Sequence, residues 1–270
     1  MKFDMHCHTA EGSIDAHVAI RDYIELLKAK GFGGMLVSDH DSYAGYEAYQ
    51  EQQKINDFVV LKGVEYDTLD YGHMLVVMPE GLHLDILHMR GLTLKKLIRI
   101  VHYYGGILGP AHPCGEPFLG FKRTRHLFRK QKDRFLKQFD FIEIFNACES
   151  EKSNKGAKGL SSQYEKPGFG GSDAHYAECV GMGYTDLPES IKTESDLIQY
   201  VKQARRIVCD GERYVYTIKD KLGPLNKALV YAFYPYNKVA ALLNLPKRMR
   251  ELRPMIEQMQ LETVRSKSVA

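Results

Sequence analysis

Short apolar runs recur along the first two thirds of the chain, and each ends in glycine or a polar residue. Between most of them, apolar residues return at helical spacing, as Leu94, Leu97, Ile98 and Val101 do. This alternation of strand and helix predicts a parallel sheet covered by helices. The strands are expected around residues 4–8, 34–37, 59–61, 74–77, 106–108, 141–144 and 169–170.

Polar clusters stand at the ends of these predicted strands. His6 and His8 share one face of the first strand, where residues two apart lie about 7 Å from each other and can close on one metal ion. Six of the eleven histidines lie in such clusters, which argues for a joint function. The other clusters are Ser38–Asp41, Glu65 with Gly72–His73, Ala111–Pro113 and Gly171–His175.

These motifs, in this order, resemble the PHP (polymerase and histidinol phosphatase) family from residue 2 to about residue 185. The resemblance implies an α/β fold, namely a distorted seven-stranded β/α (TIM-like) barrel with a metal cluster at the C-terminal mouth of its strands. It also implies metal-dependent phosphoester hydrolysis. Barrels of this kind carry their chemistry at that mouth because the loops there vary without disturbing the strands.

The resemblance further implies three groups of metal ligands. One ion is expected between His6, His8, Glu65 and Asp173, and Glu65 is expected to bridge to a second ion. A carboxylate has two oxygens and can span two ions about 3.5–4 Å apart. The second ion would also be held by His73 and His112, and a third by His40 and His175 with a carboxylate of the first loop.

The loop after the first predicted strand departs from the family pattern, because Ser13 and Ile14 stand where many relatives have an acid or a histidine. Asp15 is the preferred third-site carboxylate, and Glu11 is the alternative. If neither reaches the site, two ions are expected rather than three. Nitrogen and oxygen ligands of this kind accept manganese, iron or zinc.

The ligand types predict that a metal-bound water attacks the phosphorus of a phosphomonoester. His40 or His175 would act as general acid if the third ion is absent, and both would be ligands if it is present. Asp39 is expected to orient a ligand histidine. Asp41 would do the same or cap the following helix.

Candidate substrate contacts are Asn146, Arg123 and Arg125. Asn146 follows a predicted strand and would bind substrate or satisfy a loop. The two arginines belong to residues 122–137, which hold eight basic residues and one acidic residue. This segment is either a solvated helix face or a phosphate-binding rim beside the metals.

The composition changes after Asp210–Gly211. Residues 210–270 carry eleven basic against six acidic residues, contain four prolines and read as short helices. We therefore expect a barrel domain at 1–209 and a basic helical extension at 210–270. The extension would be a helical layer on the barrel, a dimer surface or a lid over the substrate.

The bulk properties fit a cytoplasmic enzyme. Hydrophobic residues make up 44% of the chain, yet no apolar run is long enough to span a membrane, and no signal peptide is expected. The five cysteines lack disulfide-type spacing. The oligomeric state stays open. The histidines outside the motifs are interpreted as surface or structural residues: His17, His83, His88, His102 and His126.

A small phosphorylated metabolite or nucleotide is the preferred substrate, because the net charge is only +3. A nuclease acting on short RNA or DNA is possible but less favoured. Two rivals are an amidohydrolase-like hydrolase and a non-catalytic metal-binding module. Glu65 followed closely by His73, and Asp173 followed by His175, favour the phosphoesterase.

Overall fold

The fold is taken from a computed structural model. It describes residues 1–52, 57–115, 120–121, 131–204, 206–214 and 224–268.

Nine strands are found in the described part of the chain. The first seven coincide with the predicted apolar runs. β8 and β9 were not predicted, because they are short and rich in glycine and polar residues. The strands are β1 Lys2–Cys7, β2 Gly34–Val37, β3 Val59–Thr68, β4 Gly72–Val77, β5 Ile107–Pro110, β6 Ile142–Asn146, β7 Gly168–Gly171, β8 Gly183–Asp186 and β9 Val208–Gly211.

The main sheet has seven strands in the order β5-β4-β3-β2-β1-β8-β9, and β6 pairs with β7 in a separate parallel pair. The predicted parallel sheet is wrong in part, since only β1–β2 and β2–β3 are parallel within the main sheet. β4 runs antiparallel to both β3 and β5. The reason is the tight turn at Gly72 (φ +76°), which leaves no room for a crossover helix.

The sheet curls, and the β6–β7 pair lies between β5 and β1 to close the distorted barrel. The backbone N–H of Asp173 donates to His6 O at 2.9 Å, which joins the end of β7 to β1. Asp140 N–H donates to Leu108 O at 3.0 Å, which joins the start of β6 to β5. The rings of Phe141 and Phe169 stack 4.0 Å apart in a buried cluster that also includes residues of β1 and β2.

Eight α-helices are found among the described residues. Those inside the barrel region bury one apolar face each; α1, for example, buries Ile20, Tyr23, Ile24 and Leu27. The helices are α1 Ile20–Ala29, α2 Ala44–Glu51, α3 Leu94–Tyr103, α4 Lys132–Gln138, α5 Glu151–Tyr164, α6 Glu194–Gln203, α7 Pro224–Leu243 and α8 Leu245–Ser268.

The C-terminal extension forms two long helices instead of the predicted short ones. Pro235 lies inside α7 and Pro254 inside α8 without ending either helix. Packing offsets the local cost of proline: Leu252 is buried in the main apolar cluster, and the buried Arg248 donates to Arg90 O at 2.6 Å. Among the described helices, none combines the length and apolarity needed to cross a bilayer.

Candidate metal centre

The side chains that the sequence predicts as metal ligands converge at one end of the barrel. β1 supplies His6 and leads directly into His8, and the other strands add their residues where they end or begin. Three positions next to these strand ends have a left-handed backbone that non-glycine residues rarely adopt: Asp41 (φ 47°), His112 (φ 29°) and Asp173 (φ 52°). Such strain is typical of sites where the fold fixes side chains for function.

Glu65 lies at the middle of the cluster and is 1% exposed. Its Oε1 lies 2.9 Å from His112 Nε2 and 3.1 Å from His73 Nδ1. Its Oε2 lies 3.0 Å from His40 Nδ1 and 3.4 Å from His6 Nε2. The two oxygens therefore face two different groups of histidines, which is the arrangement expected of a bridging carboxylate.

A second carboxylate, that of Asp173, faces the histidines of β1. Its Oδ1 lies 3.2 Å from His8 Nε2 and 3.6 Å from His6 Nε2. The two histidine nitrogens are themselves 3.1 Å apart. One possible ligand atom from each of these three buried residues lies within 4.8 Å of the other two. The three residues are therefore close enough to bind the same ion.

The third group lies on the open side of the cluster. Asp15 Oδ2 is 3.3 Å from His175 Nε2 and 3.9 Å from His40 Nε2. The side chains of His40 and His175 are 23% and 22% exposed, and that of Asp15 is 55% exposed. Glu11 points elsewhere: its carboxylate accepts the backbone N–H of Ile20 at 3.1 Å, at the start of α1. Of the two candidate carboxylates, Asp15 is the one the fold brings to these histidines.

The cluster is strongly polarised. Burial alone would raise the pKa of Glu65, but His73, His6 and His40 together hold it well below its usual range. Burial likewise disfavours a charge on His73, yet the Glu65 carboxylate raises the pKa of His73 to about 9. The Glu65 carboxylate is therefore ionised at neutral pH, which is the form that binds cations.

The residues present fit a group of divalent ions. His112 Nδ1 is buried and has no hydrogen-bond partner among the described residues. Glu65 Oε2 is buried and accepts no aligned hydrogen bond from them, although His40 Nδ1 lies 3.0 Å away. Buried polar atoms rarely lack a hydrogen bond unless an ion, a water or a ligand interacts with them. The donor set of imidazole nitrogens and carboxylate oxygens is the one that manganese, iron and zinc accept.

Asp39 does not touch a ligand histidine directly. It accepts hydrogen bonds from Thr9 N–H at 2.7 Å and from Ser13 Oγ at 2.9 Å. Ser13 Oγ lies 3.2 Å from His8 Nδ1, so Asp39 reaches His8 through this hydroxyl. Asp41 neither caps α2 nor orients a histidine; it accepts Asp67 N–H and pairs with Arg90 Nε at 3.1 Å.

Glu143 is a site residue that the sequence analysis missed. It is 1% exposed, and its Oε1 lies 2.8 Å from His6 Nδ1. It also accepts the backbone N–H of His112. A carboxylate inside the apolar strand Ile142–Asn146 was the available signal, because an acid is rarely buried without a charged partner.

Asn146 lies beneath the cluster rather than in an open substrate position. Its amide donates to Asp173 Oδ2 at 3.0 Å and to Glu143, and its side chain is buried. This placement supports a ligand, and a direct substrate contact does not follow from it. Arg123 and Arg125 lie outside the described residues. In the described part of the basic segment, α4 buries Phe135 and Leu136 and exposes Asp133, Arg134 and Lys137.

Comparison with known families agrees with this geometry. Residues 4–170 match the PHP domain, and residues 151–205 match a PHP-associated domain. The chain belongs to the PHP domain family. Its relatives are metal-dependent hydrolases, and the side chains clustered at the barrel mouth include groups that could hold a metal ion. Both matches end before residue 210, and the division at 209/210 stays a prediction. No curated protein matches the chain.

Solved structures of similar fold differ in what they are called. A candidate metal-dependent phosphoesterase from Bifidobacterium adolescentis is 16% identical, with 74% of this chain and 94% of that chain covered and a TM-score of 0.53. The lesion-specific endonuclease PfuEndoQ from Pyrococcus furiosus is 17% identical, with 78% and 58% covered and a TM-score of 0.58. An amidohydrolase from Chromobacterium violaceum is 14% identical, with 74% and 97% covered and a TM-score of 0.50. At such identities the likeness shows the fold alone.

Proposed function

We propose that this protein hydrolyses a phosphomonoester, with a small phosphorylated metabolite or nucleotide as substrate. The observation that supports this most is the position of Glu65, whose two carboxylate oxygens face two separate groups of histidines. Two or three divalent ions held there would supply an activated water and neutralise charge on the phosphoryl oxygens. Which of manganese, iron or zinc is used does not change the roles below.

The buried residues would hold the ions, and the exposed residues would meet the substrate. His6, His8 and Glu65 are almost fully enclosed, so they are suited to fixed positions. His40, His175 and Asp15 stand at the open side, where a phosphate group would approach. If Asp15 and the two histidines bind a third ion, all three are ligands.

If Asp15, His40 and His175 do not bind a third ion, a protonated His175 is suited to donate a proton to the leaving oxygen. Burial lowers the pKa of His175, but the adjacent Asp15 and Asp173 raise it to about 9, so the ring holds its proton at neutral pH. Asp15 would keep this ring in place through the 3.3 Å contact.

Metal analysis of purified wild type, Glu65→Ala and His40→Ala tests the ligand assignment. Wild type should hold at least two divalent ions, Glu65→Ala should lose two, and His40→Ala at most one. One ion or none in a fully active wild type would rule out the cluster.

A substrate panel tests the reaction class. We expect phosphate release from an aryl phosphate monoester, and His8→Ala should reduce the rate to background. The panel should also contain an aryl phosphodiester, a lesion-bearing oligonucleotide, amides and lactones. Cleavage of amides or lactones without phosphoester cleavage would favour the amidohydrolase alternative instead.

Salt dependence separates small from polymeric substrates. A nucleic acid contacts several basic residues, so its binding would weaken steeply as salt rises, whereas a small ester would respond weakly. The modest net charge of +3 supports the small ester. Arg123 and Arg125 stay the sequence-based candidates for a phosphate contact, and losing either should lower kcat/KM roughly ten- to hundredfold.

A further inference from the structure

A second group of metal-type side chains lies outside the barrel mouth. It consists of Glu47 on α2 and of His83 and His88, which come from the segment between β4 and α3. One donor atom of each residue lies within 4.8 Å of a donor atom of the other two. β4 begins beside Thr68 and ends beside Gly63, so the chain reaches His83 from the end of β4 opposite the metal centre.

The two imidazoles are held side by side by a buried aromatic ring. The Tyr43 ring lies 5.1 Å from the His83 ring and 4.9 Å from the His88 ring, and the two histidine rings are 5.0 Å apart. Asp85 Oδ1 lies 3.2 Å from His83 Nε2 and can fix the orientation of that ring. A carboxylate on the second nitrogen of a histidine is a common support for metal ligands.

His88 carries the observation that points to a ligand. Its Nε2 is buried and has no hydrogen-bond partner among the residues that the structure describes. A buried imidazole nitrogen without a partner, in a residue that lies beside a second imidazole and a carboxylate, is a group that a bound cation would complete.

We infer that Glu47, His83 and His88 form a surface site for one late first-row divalent cation, of which Zn²⁺ is the best match. Two imidazoles and one carboxylate suit zinc, and they disfavour magnesium and calcium, which prefer oxygen ligands. Ligands of a tetrahedral zinc lie about 3.3–3.5 Å apart at ordinary zinc–ligand distances. The half-exposed side chains of Glu47 and His83 can rotate to close the remaining distance.

An ion at this site would join α2 to the segment that precedes α3. α2 packs close to the metal centre at Gly45, where an added Cβ would collide with the side chains of Thr9 and Asp39. The bound ion would therefore stabilise the folded protein, with unfolding shifted to a higher temperature.

Zinc titration of the holoenzyme, with its own ions already bound, tests the site. We would measure bound Zn²⁺ per chain after desalting, affinity by calorimetry and Tm with and without Zn²⁺. The variants are Glu47→Gln, His83→Asn and His88→Gln. The control is His102→Asn, which alters a partly exposed histidine that pairs with Asp140 at 2.9 Å.

Wild type and the control should bind one more Zn²⁺ per chain than each site variant, and only they should show a rise in Tm with Zn²⁺. The proposal would be overturned if wild type and His83→Asn bound equal amounts of zinc. It would also be overturned if the control lost as much zinc binding as the site variants. Glu47→Gln and His83→Asn change half-exposed side chains and keep the test valid if His88→Gln fails to fold. Elemental analysis before titration shows whether the ions of the barrel mouth are retained, so the two sites are tested separately.

Discussion

Glu143 Oε1 lies 2.8 Å from His6 Nδ1, and the same carboxylate accepts the backbone N–H of His112. One buried acid thus fixes the ring of one proposed ligand and the backbone of another. His6 Nδ1 is held by Glu143, so His6 Nε2 is left to face Glu65 and Asp173. Carboxylates in this position set both the orientation and the basicity of a ligand histidine.

Glu143→Gln should weaken metal binding by roughly ten- to a hundredfold, because an amide supports the His6 ring less well than a carboxylate does. Competition with a chelator of known affinity measures the change. The matched control is Glu189→Gln, which alters an exposed acid in the connection between β8 and α6. Unchanged metal affinity in Glu143→Gln would mean that the contact with His6 does not support the ligand.

Asp15→Asn and Glu11→Gln should have opposite effects. Asp15→Asn should reduce the metal content by up to one ion with little change in stability, since its side chain is 55% exposed. Glu11→Gln should keep the metal content but destabilise the start of α1 by about 0.5–2 kcal/mol, because the carboxylate accepts the N–H of Ile20. Elemental analysis and urea unfolding distinguish the two results, and a metal loss in Glu11→Gln would reverse the assignment.

Gly171→Ala should destabilise the protein by about 1–3 kcal/mol and reduce its metal content. A Cβ at this position would lie 2.5 Å from His6 N and from His6 Cβ, where β7 meets β1. The control is Gly159→Ala within α5, where a Cβ meets nothing within 4 Å. That change should stabilise the helix by about 0.5–1 kcal/mol, and thermal unfolding of both variants would check the contrast.

Cys209 should resist alkylation in the native protein. Burial raises the pKa of its thiol to about 12, and Cys209 Sγ donates to Gly168 O at 3.1 Å. Only the thiolate reacts, so a rise of this size should slow modification at pH 8 roughly a thousandfold relative to an ordinary thiol. Mass spectrometry after timed treatment with iodoacetamide measures it. The urea-unfolded chain is the reference, and equal rates in both states would contradict the expectation.

The sequence predicted the first seven strands and the convergence of the motif residues, because both depend on local patterns. The apolar runs define the strands, and parallel strand ends bring their residues to one mouth. The direction of β4 was not predicted correctly, although the short turn before Gly72 carried the signal.

Contacts between residues far apart in the chain were beyond the sequence. Nothing near Glu143 indicates that it meets His6, because the contact depends on how the β6–β7 pair closes the barrel. The choice of Asp15 over Glu11 likewise depends on the path of the first loop. The cluster of Glu47, His83 and His88 has no motif spacing, since a helix and a separate segment supply its members.

The metal-type residues of the barrel mouth run from His6 to His175, and nearly every one of the first seven strands contributes to the cluster. No short fragment of the chain holds enough of these residues to bind the ions tightly. If the cluster binds ions as proposed, metal binding and completion of the barrel would be coupled, and the bound ions would suppress global unfolding more than local fraying. In a cell, metal supply would then set how long the folded chain survives proteolysis as well as how fast it works.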